Sequence, residues 1–176
     1  MGSVRVVHTI ADVRAACDAW RASGAVVGLV PTMGAFHDGH RSLLAAARSE
    51  CDHVVVSLFV NPTQFAPSED LAAYPRDLEG DRAVASAAGA DLLFVPAVTE
   101  MYPQPGRTTV HVEGLTTRLC GAERPTHFDG VTTVVAKLFS ITGPCRAYFG
   151  RKDAQQLAVV RQMTRDLDFQ IGRAHV

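Results

Sequence analysis

The sequence predicts an α/β domain in three layers, a parallel sheet between two sets of helices. Three observations lead there. Residues 26–30 are a continuous apolar run of the kind a strand buried on both faces shows, and residues 53–60 and 91–96 are strand-length stretches rich in apolar residues, the first of them β-branched. Stretches of helical period lie between them, and a strand–helix–strand order implies a right-handed unit with parallel strands. Two strand–loop–helix junctions, at residues 30–41 and 147–154, combine glycine with histidine, lysine and aspartate.

The 176 residues suffice for one domain with a real core. Apolar residues make up 47% and charged residues 20%, with a net charge of −1. That balance points to no nucleic-acid partner and no anionic membrane. No apolar run is long enough to span a bilayer, and the first residues lack the apolar core of a signal peptide. Cys17, Cys51, Cys120 and Cys145 are scattered with no C-x-x-C pair. This suits free thiols in a reduced, cytoplasmic protein and disfavours zinc.

Taken in order, Thr9 to Asp12 has the form of a capping box, with aspartate in place of glutamate. A helix is expected from there to about Ser23, stopped by Gly24, with Ile10, Val13, Ala16, Cys17 and Trp20 on its core face. Residues 26–30 form the first expected strand, and the alanine-rich run 41–48 a helix. Residues 53–60 are the second strand by their β-branched content. Residues 61–70 form a loop by their prolines and polar residues. A helix follows over 78–88, stopped by Gly89, then a third strand over 91–96. Residues 101–107 read as a Pro/Gly-rich turn and 108–112 as a short strand. Residues 114–128 are irregular and carry Arg118, Arg124 and His127. A helix over 131–141, a short strand over 147–149 and a helix over 154–166 complete the pattern.

Residues 169–171 begin what reads as another strand. The string 171–176 matches the translation of a common DNA-sequencing adapter, so the natural reading frame is expected to be interrupted near Gln170. Residues 1–170 are therefore read as the domain and 171–176 as a non-native tail.

The chemistry is concentrated in Val30-Pro31-Thr32-Met33-Gly34-Ala35-Phe36-His37-Asp38-Gly39-His40. A strand before it and a helix after it put backbone N–H groups and two imidazoles at a helix N-terminus, which suits an anion such as phosphate. Solvent-exposed loop histidines are the plain alternative. Gln64 lies just beyond a strand end, where open α/β sheets bind ligands. Its amide offers both donor and acceptor. Asn61 precedes a proline, which is also good turn chemistry. Asp153 is placed to cap the last helix beside Lys152.

The run 31–40 resembles the signature of the pantoate–β-alanine ligase family, which belongs to the H-x-G-H nucleotidyltransferases with their Rossmann-like nucleotide domain. Residues 59–65, 74–76, 124–131, 149–153 and 155–157 fall in that family's order, so the resemblance spans residues 26–169. It implies an enzyme that joins pantoate to β-alanine using ATP and Mg²⁺, through a pantoyl adenylate, and that forms a homodimer. Met33, Gly34, Ala35, Phe36, His37, Asp38, Gly39 and His40 match the ATP loop, with His40 as the catalytic histidine. Gly150, Arg151, Lys152 and Asp153 match the second ATP-binding turn. Gln64 matches a pantoate and β-alanine contact and Gln156 a pantoate contact. Asn61 and His127 match positions near the acceptor pocket, and Asp81 an acidic position in the Mg²⁺ environment. A related reading, transfer of a nucleotide to a phosphate monoester, would ask for more cationic side chains than Gln64 and Gln156.

The chain also departs from the family pattern. Arg151 replaces an acidic residue, Ala154 an aromatic one, Thr126 a glycine, and Gly80 an acidic residue before Asp81. The family's smaller C-terminal domain and the Ser-Ser-Arg-containing loop that closes on ATP lie beyond Val176. The chain by itself is therefore expected to hold the acceptor pocket and one side of the nucleotide site, and to be a poor catalyst.

Overall fold

The computed structural model describes residues 3–66, 69–116 and 120–175. Residues 67–68 of the loop after the second expected strand, Arg118 and Val176 fall outside them. Six strands form one sheet: β1 (Arg5–Val7), β2 (Val27–Thr32), β3 (His53–Leu58), β4 (Leu92–Phe94), β5 (Cys145–Tyr148) and β6 (Ile171–His175). Their order is β1-β4-β3-β2-β5-β6, and every pair is parallel. The helices are α1 (Ile10–Ala22), α2 (Asp38–Glu50), α3 (Leu78–Ala87), α4 (Val98–Met101), α5 (Cys120–Glu123), α6 (His127–Thr142) and α7 (Ala154–Asp166). None of them is long and apolar enough to cross a membrane.

Alternation along the strands divides the core in two. Leu29, Val55 and Phe59 face one layer, packed with Val13 and Cys17 of α1, Val131, Val135 and Leu138 of α6, and Val160 and Met163 of α7. Val30, Val54 and Val56 face the other, with Leu44 and Ala47 of α2 and Ala85 of α3. Covering on both faces is why residues 26–30 read as an unbroken apolar run rather than an alternating one.

α1 starts as expected: Thr9 accepts from the Asp12 N–H at 3.1 Å, and its hydroxyl donates to the Asp12 carboxylate at 2.6 Å. Four expectations change. A further strand, β1, precedes α1; at three residues, pairing only β4, it is too short to show a period. The strand expected over 108–112 is absent. Val110 instead donates its N–H to Thr133 Oγ1 at 3.0 Å and accepts from Thr132 Oγ1, so side chains of α6 satisfy this backbone in place of a ladder. α6 begins at His127 rather than 131, within the stretch read as irregular; no side-chain hydrogen bond caps that end to mark it. α2 begins at Asp38, before the alanine-rich run, so the second histidine of the motif lies inside the first turn.

The sheet's layout opens a crevice at one place. β2 lies between β3 and β5, and the chain moves outward from it in opposite directions, the point where open α/β sheets bind ligands. β2 pairs with β5 at Gly28↔Arg146 and Leu29↔Ala147, while its pairing with β3 continues to Thr32↔Leu58. Pro31 has no N–H to extend a ladder. The C-terminal ends of β2 and β5 therefore part company, and α2 and α7 start from them.

Candidate functional site

A cavity of about 680 Å³ fills this crevice. Among the expected site residues, Met33, Gly34, Ala35, His37, Gly39, His40, Gln64, Gly150, Arg151, Lys152, Asp153 and Gln156 line it. Phe36, Asp38, Asn61, Asp81 and His127 do not, and each has another place.

The H-x-G-H spacing is a helix cap built from two imidazoles. His37 is the N-cap of α2, and its Nδ1 accepts from the Gly39 N–H at 3.1 Å. The His37 N–H donates to His40 Nδ1 at 3.3 Å. Three residues is the N-cap to N3 distance over which such reciprocal bonds close. A side chain at position 39 would put its Cβ 2.8 Å from the His37 ring, so glycine stands between the histidines. The expectation of unpaired backbone donors at this helix end is thereby corrected: the histidines take up two of them. What the cavity meets is the other edge of the rings.

Because His40 Nδ1 accepts, its proton sits on Nε2, which donates to Thr32 Oγ1 at 3.1 Å. The Gly34 N–H donates to the same oxygen at 2.9 Å. Burial, then the neighbouring His37 and Lys152, hold the His40 pKa down to about 4. His40 is thus a neutral N–H donor at neutral pH, with Phe36 stacked on it at 5.2 Å between ring centres. Asp38 points outward, fully exposed, 3.8 Å from Arg41.

The loop before α2 is tied down by residues distant in sequence. Asp81 on α3, 4% exposed, accepts from the Phe36 N–H at 2.6 Å. Its pKa is raised, burial outweighing that hydrogen bond. Gly34 has φ +74 and a Cβ there would lie 2.5 Å from the Asp81 carboxylate, so both conformation and space ask for glycine. Tyr74 donates its hydroxyl to the Gly34 carbonyl at 2.6 Å and itself lines the cavity. Asp81, the position tied by resemblance to Mg²⁺, is thus where the loop is anchored.

Gln64 is oriented by Asn61. A 3-10 turn, Pro62–Gln64, follows β3, and Asn61 caps it. Asn61 is 1% exposed. Its Nδ2 donates to Gln64 Oε1 at 2.9 Å and to the Gly130 carbonyl at 3.2 Å. Its Oδ1 accepts from the hydroxyls of Thr63 and Tyr102. Gln64 lines the cavity with its Oε1 engaged, which leaves its Nε2–H donors to offer a ligand. The Gln64 carbonyl accepts from His127 Nδ1 at 3.0 Å and from Arg124 at 3.1 Å, while Arg124 also grips Glu69. His127 is half-buried, and burial lowers its pKa. It clamps the turn from behind.

The remaining wall is apolar: Phe59, Val131, Val134, Val135, Leu138 and Phe149. α7 brings Gln156 to the same cavity as Gln64, and the turn before it brings Lys152. Asp153 occupies the N-cap of α7 with no side-chain cap hydrogen bond, so the expected capping role is not made. The site can therefore hold an anion between two helix starts and a small apolar-bodied acid between two amides. Thr32, Ser57, Tyr74 and the valines of α6 also line it. No sequence pattern gave them a role, although Thr32, Tyr74 and Val131 lie inside the runs that match the family.

The comparisons agree with this geometry. Residues 5–174 match the family model described as pantoate-beta-alanine ligase. The chain is 59% identical over 168 residues to the pantothenate synthetase of Moorella thermoacetica, covering 96% of this chain and 59% of that one. It superposes on the crystal structure of pantothenate synthetase from Thermus thermophilus with a TM-score of 0.90 at 53% identity, covering 98% of this chain and 61% of that one. On the Francisella tularensis pantoate-beta-alanine ligase, complexed with β-γ ATP and β-alanine, the TM-score is 0.91 at 36% identity, covering 96% and 66%. The chain thus spans about three fifths of the length of the curated relatives it matches. With the fold, the imidazole cap and this degree of identity in agreement, the chain belongs to the pantoate–β-alanine ligase family.

Proposed function

We propose that this chain carries the nucleotide and pantoate sites of an AMP-forming ligase that condenses pantoate with β-alanine. The pantoate carboxylate attacks the α-phosphate of ATP and pyrophosphate leaves. The amine of β-alanine then attacks the acyl carbon of the pantoyl adenylate and AMP leaves, giving pantothenate. The observation that carries the reading is the single cavity joining the starts of α2 and α7 to a pocket with two amides and an apolar wall. Phosphates fit the first part. The hydroxyls, carboxylate and dimethyl carbon of pantoate fit the second.

In this reading the chain's own groups act mostly by placement. Lys152 supplies a point charge to phosphate. Neutral His40 trades the Thr32 hydroxyl for a phosphate oxygen, donating through Nε2 as charge builds in the transition state. Gln64 and Gln156 hold the acid so that its carboxylate faces the α-phosphate. Arg151, exposed on the same wall, adds charge beside Lys152.

Mg²⁺ enters this proposal as an ion carried by the nucleotide's phosphates, since magnesium is held by few protein ligands and keeps several waters. Among the described residues no group of three or more His, Cys, Asp or Glu side chains could hold a metal, and Asp81 lies behind the loop. No protein ligand is assigned to it. Homodimerisation and a cytoplasmic location rest on the family resemblance and on the thiols; sedimentation and fractionation measure them.

The test is calorimetry of the chain with ATP and with pantoate, alongside pyrophosphate release with both present. Binding of both ligands and pantoate-dependent pyrophosphate release are expected. Release that requires a phosphate monoester instead of pantoate would overturn the acceptor assignment.

A further inference from the structure

One polar atom on the cavity wall is left over. Ser57 is 1% exposed, lines the cavity, and its Oγ has no hydrogen-bond partner among the described residues. A buried hydroxyl without a partner carries a free-energy cost that a folded protein rarely leaves standing. Position explains what it faces. Ser57 pairs with Pro31 in the register of β2 and β3. Two residues to either side on its own face are Val55 and Phe59, which pack toward α6. Ser57 therefore interrupts an otherwise apolar row at the level where Phe59, Val131 and Val135 wall the cavity. It lies on the sheet face opposite α2, in the part of the cavity that α6 lines with Val131 and Val135. A strand residue needed only for packing there would be served by an apolar side chain, as at Val55 and Phe59.

We propose that Ser57 is a third polar contact for the acceptor: its hydroxyl binds an oxygen of the hydroxy acid, at the floor of the pocket between Gln64 and Gln156. The inference rests on the proposed function for the class of ligand. It adds that specificity for an oxygen-bearing acid over an apolar acid of the same shape comes partly from the sheet itself. An apolar acid would leave the Ser57 hydroxyl buried and unpaired in the complex, whereas a hydroxy acid satisfies it.

The experiment compares wild type with Ser57→Ala by calorimetry with pantoate and by thermal unfolding without ligand. The variant is expected to bind pantoate about tenfold more weakly, a difference of about 1.4 kcal/mol. Its unliganded midpoint is expected to equal or exceed the wild-type value, because alanine removes an unpaired hydroxyl. Affinity for ATP alone is expected to stay the same. Wild-type binding with Ser57→Ala within twofold of it overturns the inference and leaves the proposed function standing. A fall of several degrees in the unliganded midpoint also overturns it, since the hydroxyl would then be a structural partner. A wild-type chain that binds ATP but no pantoate overturns both the acceptor assignment and this contact.

Discussion

The backbone N–H of His37 donates to Nδ1 of His40 at 3.3 Å, and this one bond settles where the His40 proton sits. It leaves Nε2 as the donor, pointed at Thr32 and the cavity. The family's two histidines are thus a cap as well as a site, and their spacing is set by the first turn of α2.

His40 should accordingly titrate far below an ordinary histidine, with a midpoint near 4, and in the Nε2–H form above it. Nitrogen-15 spectra of the imidazoles measure both; a midpoint near 6 or an Nδ1–H form would contradict the cap. The sign for stability follows from the same shift. The unfolded chain takes the proton near 6.5 and the folded one only near 4. The contribution of His40 to stability is therefore complete above about 6.5 and erodes as pH falls toward 4. Urea unfolding across that range should show a smaller loss in His40→Asn. On the proposed function, His40→Ala should lower adenylate formation more than tenfold, about 1.4 kcal/mol of barrier.

Asn61→Asp tests the orientation of Gln64. The exchange puts a carboxylate oxygen against Gln64 Oε1 and the Gly130 carbonyl, which both accept from Nδ2 in the native chain. Leaving such buried acceptors unpaired costs about 1–3 kcal/mol. A lower unfolding midpoint and at least tenfold weaker pantoate binding are expected, with ATP binding little changed. Unaltered pantoate affinity would show that Gln64 does not depend on Asn61.

Gly130→Ala tests how closely α6 approaches the turn after β3. A Cβ at Gly130 would lie 2.3 Å from the Thr63 carbonyl oxygen, a backbone atom with little room to yield. Overpacking of this kind costs about 1–3 kcal/mol. Gln64 moves with the turn, so pantoate binding should weaken together with stability. A variant as stable as wild type would mean that α6 shifts freely.

Asp81 separates charge from hydrogen bonding. Burial raises its pKa, so the folded state favours the neutral acid, and that preference is lost as pH rises through the folded pKa. Asp81→Asn keeps an acceptor for the Phe36 N–H without the charge, and should match or exceed wild-type stability at pH 7. Asp81→Ala should lose about 1–3 kcal/mol for the orphaned N–H. Equal midpoints for Asn and Ala would argue against the anchor.

How much of this was legible depended on the range of the interactions. The apolar run of β2, the β-branched run of β3 and the period of α1 are local patterns, and the two strands and the helix form where expected. β1 is three residues long and is held by pairing with β4, residues 92–94, far along the chain. The extended run 108–112 has strand chemistry, yet two threonines of α6 reached its backbone first. Gln64 could be singled out from its place after a strand. Its orientation could not: Asn61 fixes the Gln64 amide, but Asn61 is itself held by Gly130 and Tyr102, and the Gln64 carbonyl by His127 and Arg124, partners far along the chain.

By itself the sequence determined the class of fold, the two strand–loop–helix junctions and the family, since each is written in contiguous residues. Only the tertiary structure decided what those residues do. It turned the two histidines into a cap with one defined proton, drew Asp81 and Tyr74 onto the loop, and left the Ser57 hydroxyl on the cavity wall without a partner among the described residues. The physical reason is that tautomer, burial and hydrogen-bond partner are properties of a neighbourhood in space. In a parallel sheet that neighbourhood is assembled from crossovers dozens of residues long.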